Sequence, residues 1–394
     1  MTTLLPKAHI GHVAATIVKG DAAHIVMTPD DFDAAFQEIT AWAGYAPTPL
    51  VSFATTAATI GVSEVLYKDE GPRFGLGSFK ALGGAYAALR VLQREISRRL
   101  DKSISLADIR SGSHADICAA ITLVSATDGN HGRSLAWGCK RFGVPCRIYI
   151  HAEVSEGRAS AMRDLGAEVV RIAGDYDESV RLAKKEAEEN GWFVVSDTSW
   201  PGYSFPPRDV MCGYGVMVQE ICDTLDQPPT HVFLQGGVGG LAAGVIARLR
   251  QNWKDASPRP IIVEPELASC LFESAKKGVA TTVDITEETL MAGLSCGEPS
   301  ELAWEILSEE VTDFLTIPDS LVAPTVRLLA QPHGGDRAIN AGESAVAGLA
   351  ALISAMADPS LAEKLGLTSA SRVLLIGSEG VTDQAIFDAI MEGH

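Results

Sequence analysis

"THVFLQGGVGGLAAGVIARLRQNW" (residues 230–253) runs an apolar strand pattern into an alanine-rich helical pattern through five residues, four of them glycine. Glycines at such a junction let successive backbone N–H groups close on an anion. The start of the following helix adds a favourable dipole. The spacing G-G-V-G-G matches neither G-x-G-x-x-G nor the P-loop, which ends in Lys-Ser/Thr. A compact phosphate monoester therefore suits it better than a dinucleotide or a nucleoside triphosphate. A tight structural turn is the other reading of the same residues.

Working outward, seven more apolar runs have the look of strands: 63–69, 120–127, 145–152, 167–174, 192–198, 259–265 and 372–378. Most are near-continuous rather than alternating, as expected of parallel strands buried on both faces. Helical patterns fill 79–100, 131–142, 156–165, 176–190, 208–226 and 239–254. This alternation predicts an α/β fold with parallel sheets and right-handed crossovers. Residues 101–117 read as a polar insertion and 275–290 as a surface excursion.

Other strand ends carry reactive side chains. "SATDGNHGRSLAW" (125–137) gathers Thr127, Asp128, Asn130 and His131 where a buried strand meets a helix. Ligands of parallel sheets bind beyond the carboxyl ends of strands. Asp128 suits a proton acceptor there and Asn130 a donor to a ligand oxygen. An Asx turn with a helix cap explains both equally well. His131 reads as structural. "VVSDTSWPGY" (194–203) places Asp197 at another strand end, as a base or a cap, and "LLIGSEGVTD" (374–383) places Ser378 and Glu379 at the last one.

"GLGSFKALGGAYA" (75–87) sets Lys80 among small and apolar residues at the mouth of a helix. Desolvation lowers the pKa of a lysine, and a neutral amine can condense with an aldehyde. On its own such a lysine is more often structural. Together with a phosphate loop it points to pyridoxal phosphate, which offers the aldehyde to the lysine and the phosphate to the glycines.

Bulk properties are those of an ordinary globular protein able to bury a large core. The chain has 394 residues, is 46% hydrophobic and 21% charged, and carries a net charge of −18. That charge argues against nucleic acid as a partner. None of the seven cysteines forms a C-x-x-C pair. The N-terminal segment resembles neither a signal peptide nor a transit peptide, and no apolar run reaches the roughly 18 residues of a membrane span. The expectation is a cytoplasmic protein with reduced thiols.

In order along the chain, "LYKDE", "RFGLGSFKALGGAYA", "TDGNHGR", "QGGVGGLAAG" and "GSEG" resemble the fold type II pyridoxal-phosphate enzymes. Within that class, "ATDGNHGR", "DTSWPGY", "MAGLSCGEP" and "GESAVAG" resemble the diaminopropionate ammonia-lyases. The likeness spans about residues 45–385. It implies a tryptophan synthase β-like fold of two α/β domains, each with a mostly parallel sheet flanked by helices. The larger would hold 1–101 and 201–394, and 102–200 would be a smaller domain inserted in it. It implies pyridoxal 5'-phosphate as cofactor, joined to Lys80 as a Schiff base. Gly236, Gly237, Val238, Gly239 and Gly240 would hold its phosphate, Asn130 its phenolic oxygen and Ser378 its ring nitrogen. Asp128 and Asp197 would be the two bases, and the reaction would convert 2,3-diaminopropionate to pyruvate and ammonia. The family likeness also implies a homodimer. Dehydration of serine, threonine or a hydroxyaspartate on the same fold is the alternative; Ser78, two before the lysine, follows the dehydratase habit. A metabolite-binding homologue without activity is a further one. Cys270 and Cys296 flank the polar excursion, where they could meet, though a cytosolic setting favours free thiols.

Overall fold

The computed structural model describes residues 4–17, 20–127, 129–174 and 176–393. Its strands are β1 (Gly11–Ala14), β2 (Leu50–Ser52), β3 (Glu64–Asp69), β4 (Leu123–Ala126), β5 (Cys146–Ile150), β6 (Glu168–Arg171), β7 (Phe193–Val194), β8 (His231–Gln235), β9 (Arg259–Pro265), β10 (Asp313–Ile317) and β11 (Arg372–Gly377). The chain divides into two compact units: Met1–Pro29, Pro47–Ser78 and Met217–His394 form one, and Asp30–Ala46 and Phe79–Val216 form the other.

The first unit is built on a seven-stranded sheet of order β1-β10-β9-β8-β11-β3-β2. The five inner strands run parallel, and β1 and β2 close the two edges antiparallel. Every residue of β8 and β10 is buried, which accounts for apolar runs without alternation. Phe233, Ile261, Val263, Leu315, Val373 and Leu375 pack in one core with Leu349, Leu352 and Ile353 of the Ala347–Ala357 helix. Burial of each large side chain contributes roughly 1.5–3 kcal/mol.

The second unit carries a four-stranded parallel sheet, β6-β5-β4-β7. Its helices Lys80–Leu100 and Asn130–Phe142 approach closely through glycines. A Cβ on Gly84 would lie 2.7 Å from Ser134 Oγ, and one on Gly138 would lie 2.7 Å from Ala85 Cα. Gly83 and Gly84 thus sit inside a helix, where glycine costs about 1 kcal/mol relative to alanine, because the packing leaves no room for a side chain.

All eight strand segments read from the sequence contain a strand. The sequence reading had no place for β1, β2 or β10. The first two are short antiparallel edges. β10 starts on an aspartate, a residue depleted in strands. Asp313 is tolerated because Oδ1 lies 3.0 Å from His12 Nε2 on β1, and Oδ2 accepts from Arg259 Nε on β9 at 2.8 Å. The units also divide the chain differently from the expected 102–200 insertion. The Phe79–Val216 segment of the second unit includes the Lys80–Leu100 helix, since that helix packs on Asn130–Phe142.

Candidate active site

In the first unit the glycine loop leaves β8 and enters the Gly240–Trp253 helix. Gly237 and Gly239 have φ of +61° and +94°, a left-handed region that favours glycine. Among the described residues no backbone carbonyl accepts from the N–H of Gly237 or Val238. The 14-residue helix behind them supplies the positive end of its dipole. Space behind the loop is filled: the Glu264 side chain occupies what a Cβ on Gly236 would need. Glu264 accepts from Leu271 N–H at 3.0 Å and Phe272 N–H at 2.7 Å. Burial pushes its carboxyl up to about 8, against these donors and Cys270. Cys270 Sγ donates to Gly237 O at 3.5 Å. All seven cysteines, Cys270 and Cys296 included, are free thiols.

Ser378 follows β11, the strand paired with β8, so it and the glycine loop leave neighbouring parallel strands at the same end. Gln235 Nε2 ties the two together by donating to Ile376 O at 2.7 Å. Gly380 N–H donates to Gly77 O at 2.9 Å, and Ser78 bridges Glu379, which anchors the segment leading to Lys80. Farther back, Arg73 donates to Glu70 and Glu220, and Lys68 donates to Glu220 at 2.6 Å; all four are buried.

In the second unit Lys80 is the first residue of its helix, the end where a dipole opposes a cation. Its partner is Asp197: Lys80 Nζ donates to Asp197 Oδ2 at 2.8 Å. The two side chains are 23% and 18% exposed, so both are shielded yet open to a small molecule. Burial alone would push the Asp197 carboxyl up. The Lys80 ammonium, and then His131, instead hold it well below the usual carboxylate range. Asn130 opens the next helix, and His131 follows it, buried, with Nε2–H donating to Val195 O at 2.9 Å. Tyr203 braces the same strand end: its hydroxyl donates to Val194 O at 3.0 Å and accepts from Ser196 N–H at 2.9 Å. Its ring stacks on Trp200 with centroids 3.9 Å apart.

The structure therefore brings together Lys80 and Asp197 in one unit, and Gly236–Gly240 and Ser378 in the other. Asp128 lies outside the described residues. Sequence reasoning passed over Tyr203 and Glu264 and took His131 as structural. The aromatic pair in "SWPGY", directly after Asp197, was the available signal for Tyr203. In the first unit, open N–H groups at a helix start fit a phosphate; in the second, a shielded primary amine beside a carboxylate fits an aldehyde.

That chemistry defines a class, and comparison with known proteins identifies it. The family model described as "Pyridoxal-phosphate dependent enzyme" matches residues 41–379. Diaminopropionate ammonia-lyase of Escherichia coli (strain K12) is 40% identical over 347 residues, covering 86% of each chain. The Salmonella typhimurium enzyme of the same name is 35% identical over 88% of each chain. The crystal structure of holo diaminopropionate ammonia lyase from Escherichia coli superposes with a TM-score of 0.90 at 36% identity, covering 98% of this chain and 97% of that one. The same enzyme has been solved with an aminoacrylate–PLP azomethine reaction intermediate, TM-score 0.87 at 34% identity and 98% coverage of both chains. The chain belongs to the pyridoxal-phosphate-dependent enzymes, within the diaminopropionate ammonia-lyase group, and its cofactor is pyridoxal phosphate.

Proposed function

We propose that this enzyme eliminates ammonia from 2,3-diaminopropionate, giving pyruvate and a second ammonia after hydrolysis. The observation that carries the reading is Lys80 Nζ lying 2.8 Å from Asp197 Oδ2, a primary amine and an ionised carboxylate at one point. The bound cofactor would supply an aldehyde for a primary amine and an electron-withdrawing ring that acidifies the substrate Cα–H. Lys80 would be the amine that holds the cofactor. The N–H groups of Gly236–Gly240 would hold its phosphate, the Asn130 side chain its phenolic oxygen and the Ser378 hydroxyl its ring nitrogen. Asp197 Oδ2 takes the Cα proton on one side, and Asp128 serves the other enantiomer. The electron pair left at Cα forms the Cα=Cβ bond as the β-ammonium departs as neutral ammonia with the Cβ–N pair, and a nearby carboxylate suits that cationic group. One water enters and two ammonia molecules leave per pyruvate formed.

Net charge of −18 supports a partnership with small amino acids rather than nucleic acid. Among the described residues no single helix is long and apolar enough to cross a membrane. Seven free thiols support a cytoplasmic setting, and family likeness supports a homodimer. Serine is the rival substrate, because the Escherichia coli relative has been solved with D-serine. The test is keto-acid formation across both enantiomers of diaminopropionate, serine and threonine, with Asp128→Asn and Asp197→Asn in parallel. We expect turnover of both diaminopropionate enantiomers, with a loss on the order of 10²–10⁴-fold that falls on a different enantiomer in each variant. Robust turnover of serine with none of diaminopropionate would sink the substrate, and equal losses in the two variants would sink the two-base assignment.

A further inference from the structure

Asp197 sits in a chain of three side chains, all within the second unit. Lys80 Nζ is 2.8 Å from Asp197 Oδ2, and His131 Nδ1 is 3.9 Å from the same oxygen. His131 is 3% exposed, and its Nδ1 has no hydrogen-bond partner among the described residues. Its other nitrogen is committed: the Val195 carbonyl can only accept, so Nε2 carries a proton. A neutral ring in that tautomer turns a lone pair toward an ionised carboxylate inside the fold, which is unfavourable. An imidazolium turns an N–H toward it, and a neutral ring can only accept from a protonated Asp197. His131 therefore meets the ionised carboxylate with an N–H only when both its ring nitrogens carry protons.

We propose that His131 is the positioning residue of Asp197, holding its strand end through Val195 and serving as its cationic counterpart whenever Lys80 is engaged elsewhere. This rests on the functional reading above, in which Lys80 leaves Asp197 to hold the cofactor. Lys80 and then His131 hold the Asp197 carboxyl below its usual range, so withdrawing the first leaves the second. Among the described residues, the phenols of Tyr203 and Tyr214 also face this carboxylate, both buried and both pushed to high pKa, so neither contributes charge. Since Asp197 must be ionised to accept a Cα proton, His131 sets the lower pH limit for the enantiomer served on that side.

The test separates electrostatics from folding. His131→Gln keeps an amide N–H for the Val195 carbonyl but removes Nδ1. In cofactor-free protein with ¹³C-labelled aspartate, the Asp197 carboxyl is titrated by NMR in Lys80→Ala and in Lys80→Ala/His131→Gln. We expect the midpoint to rise by at least about one unit in the double variant; an unchanged midpoint overturns the proposal. In holoenzyme, His131→Gln should lower kcat for one diaminopropionate enantiomer roughly tenfold. The acidic limb of its pH profile should move up, while KM and the other enantiomer stay within about twofold. Equal effects on both enantiomers, or no movement of the acidic limb, overturn it. The carboxyl titration does not depend on which amino acid is the substrate, so a failure of the diaminopropionate reading leaves this result standing on its own.

Discussion

The two strand-end clusters are made of different material. Beyond β8 and β11 the binding groups are backbone N–H donors, set by glycine conformation, with φ of +61° at Gly237 and +94° at Gly239. Beyond β4 and β7 they are side chains, Lys80, Asp197 and His131, aimed by hydrogen bonds from their neighbours. A backbone cradle tolerates change in surrounding side chains but not in its glycines. A side-chain cluster has the opposite sensitivity: each member is chemically irreplaceable, and its bracing can be lost in steps. The sharpest break in this contrast is Lys80→Ala. Turnover should fall by at least about a thousandfold and the yellow absorbance of bound cofactor should vanish. Lys80→Arg should fail equally, since a charge without a condensable amine does not serve. Normal absorbance in either variant would remove Lys80 from the site.

The next effect belongs to the backbone cluster, through a titratable group packed behind it. Burial raises the Glu264 carboxyl to about 8, against a usual value of 4.5. The folded protein therefore holds a proton at Glu264 that the unfolded chain gives up above 4.5. By linkage, the stability this represents is complete below 4.5 and is lost as pH climbs through 8. Urea unfolding between pH 6 and 9 should show the decline, on the order of a few kcal/mol at most. Glu264→Gln should flatten the slope, and the variant should be relatively more stable at pH 9 than at pH 6. An unaltered slope would mean that Glu264 is ionised throughout, as its two N–H donors from Leu271 and Phe272 would favour.

Gly239→Ala tests the cradle directly. A side chain at φ +94° is strained, and its Cβ would meet Leu307 Cδ1 at 3.0 Å and Ala303 Cβ at 3.1 Å. The expected cost is about 1–2 kcal/mol of stability, together with cofactor affinity lowered roughly tenfold; equilibrium dialysis and thermal unfolding would measure both. Affinity equal to that of the parent would show that the loop does not need its glycine geometry.

The same contrast governs what was legible in the sequence. Glycine spacing between an apolar run and a helix is a local pattern, so Gly236–Gly240 could be read as an anion loop from the residues alone. The parallel strands β8, β9 and β11 were equally plain, because burial on both faces writes a continuous apolar run. β10 was hidden by Asp313, whose cost is offset by His12 and Arg259, partners 301 and 54 residues away. Lys80, Asp197 and His131 are spread over 118 residue positions, and nothing local says that Nζ and Oδ2 lie 2.8 Å apart. Their chemistry could be guessed from residue type and strand-end position, but the orientation of His131 is a property of tertiary packing. Resemblance to a family supplied what spacing could not.

Tyr203→Phe probes the smallest part of the difference, the bracing rather than the chemistry. The phenol donates to Val194 O and accepts from Ser196 N–H, so it pins the two residues either side of Val195, whose carbonyl His131 holds. Asp197 is the next residue along, and any slack in this segment moves its carboxylate relative to Lys80. Phenylalanine keeps the ring stacked on Trp200 but leaves both backbone groups without their partner. Stability should fall by about 1 kcal/mol, the net worth of an ordinary hydrogen bond. Activity should fall only a few-fold, and only for the enantiomer whose proton Asp197 removes, because the carboxylate is intact and merely less well placed. Equal losses for both enantiomers would mean that Tyr203 supports the whole unit rather than this one carboxylate. No loss at all would mean that His131 alone is enough to hold the segment.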